Sequence, residues 1–420
     1  MTSSHATKSW FVRSRQQAQL SSARQLVCQA STAQSTAGQG AATSATSDRR
    51  LELTITGMKD GSCAEKLRKS LLEVEGVHEV LVDEQERQAH LRLSPHVRIR
   101  QIMESVRLMN CGYRAVPYRE QTWMWRGYRV NYAVAGKGPP IVLVHGFGSN
   151  VHHFRKLTAD LCEQYTVYAM DLLGFGSSQK PEGVTYDPHL WKDQVVDLVN
   201  TLVPEPCVLL GNSIGSQVAL YAAAELKSRV RGVTLLNCSG AMNQRGLYQD
   251  DATLAALKPV FWVVESLLKR KGIATWLFEK FRSRERVQQV LSISGRAGVP
   301  PPYANPGEIT DELIDLLCEP AYDSGALDCF VGVFTGDPGP RPEAMAAKLT
   351  CPILVAWGLD DPWTPWDGSI ARHFRELEAA GDRQVTTRGL VKCGHCPMDD
   401  CPDAVAEALL PWLAALPSTD

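Results

Sequence analysis

The chain has 420 residues, 44% hydrophobic and 21% charged, with a formal net charge of −2, which leaves room for one full-sized catalytic domain of roughly 250–300 residues and smaller segments beside it. So even a charge balance excludes the overall basic character of a nucleic-acid binder, and none is expected as a partner. No apolar run approaches the roughly 18–20 residues that cross a bilayer, the nearest being the short stretch 260–264.

Residues 1–47 contain no Asp or Glu, are rich in Ser, Ala, Thr and Gln, and carry scattered Lys8, Arg13, Arg15 and Arg24. That is the composition of a disordered organelle transit peptide, expected to direct the chain to a chloroplast, with the mitochondrion as the alternative. From Leu51 the pattern changes. Leu51, Leu53 and Ile55 alternate as in a half-buried strand, and Leu67, Leu71 and Val74 share a helix face. A strand at 80–83 and an alternating run through Ala89, Leu91 and Leu93 follow, then a second helix with Ile99, Ile102, Met103 and Val106, and a closing segment around 113–116. Residues 50–117 therefore predict a small ferredoxin-like βαββαβ domain.

This stretch resembles a heavy-metal-associated domain, on Gly57-Met58, Gly76-Val77 and Gly112-Tyr113. The resemblance implies a metal loop Gly-Met-x-Cys-x-x-Cys, and Asp60 stands at its first thiol, leaving Cys63 alone. Soft monovalent copper is held by two thiolates, so the hard carboxylate removes the selectivity of the motif, and no metal site is expected. The twelve cysteines are scattered, which predicts core packing rather than a disulfide framework.

Residues 118–127, with Trp123 and Trp125, read as a linker into the main domain, 128–418. Strand-like runs at 128–135, 140–144, 165–170, 206–210, 233–237 and 352–357 alternate with helical stretches. This is the appearance of a mostly parallel sheet with helices on both faces.

The run 208–210 enters Gly211-Asn212-Ser213-Ile214-Gly215 and then a helix. Both glycines are needed where a tight strand-to-helix turn lifts the Ser213 hydroxyl clear of the backbone. A serine hydroxyl is a weak nucleophile, so it needs a base and a carboxylate to hold that base in one tautomer. The expected chain order of Ser, acid, His is met by Asp361, in the turn after the strand at 352–357, and by His395, in Gly394-His395-Cys396-Pro397 before an amphipathic helix at 404–413. Asp360 adjoins Asp361, which has the better spacing after Gly358. The backbone N–H groups of Phe147 and Ile214 are the expected oxyanion donors. His145 is expected to pack and fix the Phe147 loop. The reaction calls for no cofactor.

Residues 241–345 interrupt two core strands as a helical lid does. They are strongly apolar, and Phe261, Trp262 and Trp276 are the candidate substrate contacts. Basic residues outnumber acidic ones along 265–286. Two readings stay open: a face meeting an anionic membrane, making peripheral contact with it, or an ordinary lid packed on the core. Around His395, oxidation among Cys393, Cys396 and Cys401 is expected to distort the turn and lower activity.

From about Trp123 to Leu416 the chain resembles the α/β-hydrolases of plants, algae and cyanobacteria that include pheophytinase and chlorophyll dephytylase. The resemblance rests on Trp125-Arg126-Gly127-Tyr128, His145-Gly146-Phe147-Gly148 with His153-Phe154-Arg155, Asp171-Leu172-Leu173-Gly174-Phe175-Gly176-Ser177-Ser178, the Ser213 turn, Trp357-Gly358 through Thr364-Pro365, and the His395 turn. It implies an α/β-hydrolase fold and hydrolysis of a hydrophobic ester, the phytyl ester of a chlorophyll-type pigment. Ser216 departs from the usual glycine, and Phe154 from the tryptophan of many relatives.

Overall fold

The computed structural model describes residues 48–240, 263, 265–293, 300–382 and 384–417; the expected transit segment lies outside them. From residue 48 the alternating pattern builds β1 (Arg49–Thr56), α1 (Gly61–Leu72), β2 (Val77–Asp83), β3 (Gln88–Leu93), α2 (Ile99–Leu108) and β4 (Arg114–Val116). The four strands form an antiparallel sheet in the order β2-β3-β1-β4, the ferredoxin-like arrangement. Leu53, Ile55, Leu67, Leu71, Leu93 and Ile102 are fully buried between sheet and helices.

The expected linker is not one. Residues 119–125 form β5 (Arg119–Trp125), a full hairpin partner of β6 (Tyr128–Ala135). Alternation was hard to read because β5 is an edge strand, exposed along most of its length; only Trp125 is deeply buried, its indole N–H donating to Asp197 at 2.8 Å. Just two residues separate β4 from β5, so the small domain lies directly on the large one. Tyr118, 4% exposed, donates or accepts at His152 (2.8 Å) while its carbonyl accepts from the Thr54 hydroxyl (2.7 Å), and Arg100 pairs with Asp160 and Asp403.

The main sheet has eight strands in the order β12-β11-β10-β9-β7-β8-β6-β5, with β7 (Pro140–Val144), β8 (Thr166–Met170), β9 (Cys207–Asn212), β10 (Val230–Leu236), β11 (Ile353–Gly358) and β12 (Val385–Leu390). All six of these run parallel, and β5 and β6 close one edge antiparallel. The continuous apolar runs of β7, β9 and β11 are buried along their whole length, as two-sided coverage requires. β12 carries Thr386, Thr387 and Arg388 and gave no strand signal; it is the exposed edge.

The chain between β7 and β12 supplies the helices used below: α3 (Arg155–Leu161), α4 (Pro188–Leu202) and α5 (Ile214–Leu226); in the inserted region α6 (Lys271–Phe281), α7 (Arg284–Ser292), α8 (Asp311–Cys318) and α9 (Ala326–Thr335). A last helix, α10 (Pro402–Ala414), covers the sheet after β12.

Candidate active site

Parallel strands all end at one edge, and loops leaving neighbouring carboxyl ends meet there. Ser213 follows β9, Phe147 follows β7, Asp361 follows β11 and His395 follows β12, so a sheet order of β12-β11-β10-β9-β7 gathers four distant residues.

Ser213 occupies φ 56°, ψ −123° at the start of α5, a conformation costly for a non-glycine residue. Its two glycines are obligatory: a Cβ on Gly211 would lie 2.2 Å from the Gly215 carbonyl oxygen, and one on Gly215 would lie 2.1 Å from that of Val144. Ser216 fits in place of the usual glycine because its hydroxyl donates to the carbonyls of Gly211 (2.6 Å) and Leu236 (3.1 Å). Phe154 is fully buried in the core beside α3.

The structure brings Asp361 and His395 together, with His395 Nδ1 2.7 Å from Asp361 Oδ2. Asp361 is 4% exposed. Its Oδ1 accepts the backbone N–H groups of Trp363 (2.8 Å) and Thr364 (3.1 Å), and its Oδ2 accepts Asn237 Nδ2 (2.6 Å) and the Thr364 hydroxyl. Burial alone would raise this carboxyl, but the His395 charge and hydrogen bond, with those of Thr364 and Asn237, outweigh it and hold it below its ordinary value. Asp360 takes no part; its backbone N–H bonds to Cys393. The Trp363 indole stands edge-on to His395, centroids 4.8 Å apart.

The nucleophile turn and the imidazole loop are fastened together, since Asn212 Nδ2 donates to the His395 carbonyl at 3.0 Å. Among the described residues the Ser213 hydroxyl makes no hydrogen bond, and the N–H groups of Phe147 and Ile214 have no acceptor. Gly146 brings the Phe147 loop against Ser213: a Cβ there would be 3.2 Å from the Ser213 Cβ. His145 locks that loop from below, Nδ1–H donating to the Gly146 carbonyl (2.7 Å) while Nε2 accepts the Leu172 N–H (3.0 Å).

A second buried set was not legible in the sequence. Ser149 contacts His153 (2.7 Å), His153 Nε2 contacts the Tyr303 hydroxyl (2.7 Å), Tyr303 donates to Asp399 (3.0 Å), and Asp399 accepts from Arg155 (2.7 Å). Asp400 accepts the N–H groups of Gly394 (2.7 Å) and Ala304 (2.9 Å). The chain of contacts thus ties the loop after β7 to the loop after β12, and its members come from three separate stretches, 149–155, 303–304 and 394–400, with no motif that joins them. Cys393 and Cys401 form a disulfide across the same loop. The expectation that oxidation there distorts the turn is corrected: the disulfide coexists with the formed His395–Asp361 hydrogen bond.

Beside Phe147 lies a small cleft of about 60 Å3 whose wall includes Phe175, Phe278, Leu317 and Phe330. Phe147 packs on Phe334 (centroids 5.3 Å) and Phe330 (6.1 Å), and Phe330 on Phe278 (5.1 Å). Trp276, a candidate substrate contact, does not join this cluster. Two positions before Phe278 on α6, it falls on the opposite face and is 58% exposed. Phe261 and Trp262 lie outside the described residues.

In the small domain, Asp60 caps α1, its Oδ1 accepting the N–H groups of Ser62 (3.0 Å) and Cys63 (3.2 Å). One carboxylate already engaged in capping and one thiol do not fit the two-thiolate set of a soft monovalent ion.

A family model described as Alpha/beta hydrolase family matches residues 141–408, and one described as Heavy-metal-associated domain matches 52–114. The chain is 25% identical over 331 residues to pheophytinase, chloroplastic, of Arabidopsis thaliana, covering 69% of this chain and 65% of that protein. It is 34% identical over 117 residues to a 2-hydroxymuconate semialdehyde hydrolase of a Pseudomonas strain, covering 27% of this chain and 41% of the relative. The alignments therefore span less than two thirds of these relatives' length. In three dimensions the chain matches an epoxide hydrolase without ligand (TM-score 0.54, 21% identity, 70% of this chain and 99% of that one). A putative acyltransferase from Salmonella enterica matches similarly (TM-score 0.55, 20% identity, 72% and 97%). At such identities these neighbours show the fold alone.

Proposed function

The chain belongs to the α/β-hydrolase family, and on that premise we propose that it is a serine carboxylic-ester hydrolase acting on a hydrophobic ester, specifically the phytyl ester of a chlorophyll-type pigment. The observation that carries the chemistry is the 2.7 Å His395–Asp361 hydrogen bond, placed at the sheet edge that also holds the strained Ser213 turn.

In this reading His395 Nε2 takes the Ser213 proton as the oxygen attacks the ester carbonyl carbon. Asp361, held ionised, keeps Nδ1 protonated and stabilises the imidazolium. The alkoxide oxygen accepts the free N–H groups of Phe147 and Ile214, each such donor contributing about 3–4 kcal/mol to the transition state. Collapse expels the alcohol with the proton from His395 and leaves an acyl-Ser213 ester. Water, deprotonated by the same imidazole, then releases the acid. A serine at this position does not form the aspartyl ester intermediate used by epoxide hydrolases of this fold.

What supports the pigment is the 331-residue match to pheophytinase and the aromatic cleft beside Phe147. The acid-free segment 1–47 and the chloroplastic relative support a plastid location. The test is incubation of purified protein with pheophytin, chlorophyll and a short p-nitrophenyl ester, with Ser213→Ala as control. Pigment turnover lost in the control is the expected result. Hydrolysis of the short ester alone would point to a generic lipid or small-ester hydrolase, and turnover of none to a ligand-binding role for the fold.

A further inference from the structure

Helix α6 has two unlike faces. Its inner face, Ala274 and Phe278, is buried, and Phe278 packs on Phe330 in the cluster that reaches Phe147. Its outer face carries Ile273, 37% exposed, and Trp276, 58% exposed, one turn apart. Single exposed apolar residues are ordinary, but a concentration of them marks an interaction site. Six of the fourteen exposed large hydrophobic residues among the described residues fall between 263 and 293.

The charge on this region sets it apart again. Residues 265–293 carry seven Lys or Arg against three Glu, a net +4 in a chain whose total is −2. Arg270, Lys271, Lys280 and Arg286 are all exposed and, among the described residues, have no carboxylate partner. Two of them sit over exposed rings: Lys280 Nζ is 4.3 Å from the Trp276 centroid, and the Arg286 guanidinium 5.6 Å from that of Phe281. Cations held at the level of outward-pointing aromatic and aliphatic groups suit a boundary where apolar tips enter acyl chains and cationic heads stay among anionic headgroups.

We infer that the outer face of α6, with the Arg270-Lys271 corner that precedes it, docks on an anionic lipid surface. Each basic group near such a surface adds to the attraction, which salt screens. The inner face of the same helix then opens the aromatic cleft toward the lipid, so an apolar ester reaches Ser213 without crossing bulk water. The docking deepens the hydrophobic-ester reading, from which it takes its cargo.

The test uses the full chain carrying Ser213→Ala, which removes hydrolysis, sedimented with phosphatidylcholine vesicles with and without 30% phosphatidylglycerol as a chosen mixture, roughly matching an anionic leaflet. Expected is binding at least about tenfold stronger to the anionic vesicles, weakened by high salt. Trp276→Ala and the pair Arg270→Glu with Lys271→Glu should each weaken it about tenfold. In the Ser213 background the charge-reversed pair should hydrolyse a short soluble ester at the wild-type rate, which shows that it folds. Absence of vesicle binding, or equal binding by the variants, overturns the proposal. Self-association without vesicles that the same variants abolish also overturns it, and assigns the face to a second copy. Vesicle binding without pigment turnover leaves docking standing and removes the pigment.

Discussion

Asn237, at the end of β10, donates its side-chain amide to Asp361 Oδ2 at 2.6 Å and accepts the Gly358 N–H at 3.0 Å. It holds the carboxylate at one angle to His395, between two strands that are neighbours only in the folded sheet. Asp361→Asn should keep the fold and present an amide where an acceptor is needed. A fall in kcat of about 10^3–10^4-fold is expected on a short soluble ester, against near wild-type turnover for Asp360→Asn. If Asp360→Asn were the damaging change, the acid would be misassigned.

Asp399 is fully buried and receives Arg155, 3% exposed, and Lys156. Removing one partner of such a pair leaves an uncompensated buried charge. Asp399→Ala should destabilise the protein by about 3–5 kcal/mol in urea unfolding.

Tyr303 donates to Asp399, so it accepts from His153, whose Nε2 carries the proton, while Nδ1 lies 2.7 Å from the Ser149 hydroxyl. Burial, with the nearby Arg155 and Lys156 charges, outweighs Asp399 and lowers the His153 pKa from 6.5 to about 4. Between these values the unfolded chain binds a proton that the folded chain refuses. Stability from this group is therefore complete above pH 6.5 and is lost as pH falls toward 4, by roughly 3 kcal/mol. His153→Gln should flatten that part of a stability–pH curve measured by denaturant unfolding. Asp399, held below its ordinary 3.8, adds a loss at lower pH, which the variant should retain.

The Cys393–Cys401 disulfide closes a loop with a sequence separation of 8 that contains His395. Closing so short a loop contributes about 2–3 kcal/mol. Cys393→Ser with Cys401→Ser should lose roughly that amount, and short-ester turnover should fall on treatment with a dithiol rather than rise. Unchanged turnover after complete reduction, followed by thiol titration, would show that the brace is dispensable.

Gly211, Ser213 and Gly215 were readable because the turn forbids side chains at both glycines, Gly211 against the turn itself and Gly215 against Val144 of the neighbouring strand, and the constraint leaves its mark within five residues. Asp361 was readable because it lies in a short turn after the apolar strand β11, and His395 from the Gly394-His395-Cys396-Pro397 turn that precedes an amphipathic helix. The ferredoxin-like unit was readable from its alternation, because one face of a small antiparallel sheet must be apolar. β5 and β12 were not readable: as edge strands they gain stability from pairing more than from burial, so their side chains need not alternate. Trp276 looked like a pocket residue because composition does not say which way a helix faces; α6 turns it outward only by packing Phe278 on Phe330.

The sequence by itself determined the hydrolase and ferredoxin-like units, the Ser213 turn and the order of Ser213, Asp361 and His395, since each depends on neighbours within a few residues. Tertiary structure alone decided that Asn237 and Thr364 hold Asp361, that Asp399 and Asp400 brace the His395 loop, and which face of α6 is exposed. Those relationships join residues tens to hundreds of positions apart. They exist because parallel strands deliver all their carboxyl ends to one edge, and burial there forces every polar group to find a partner.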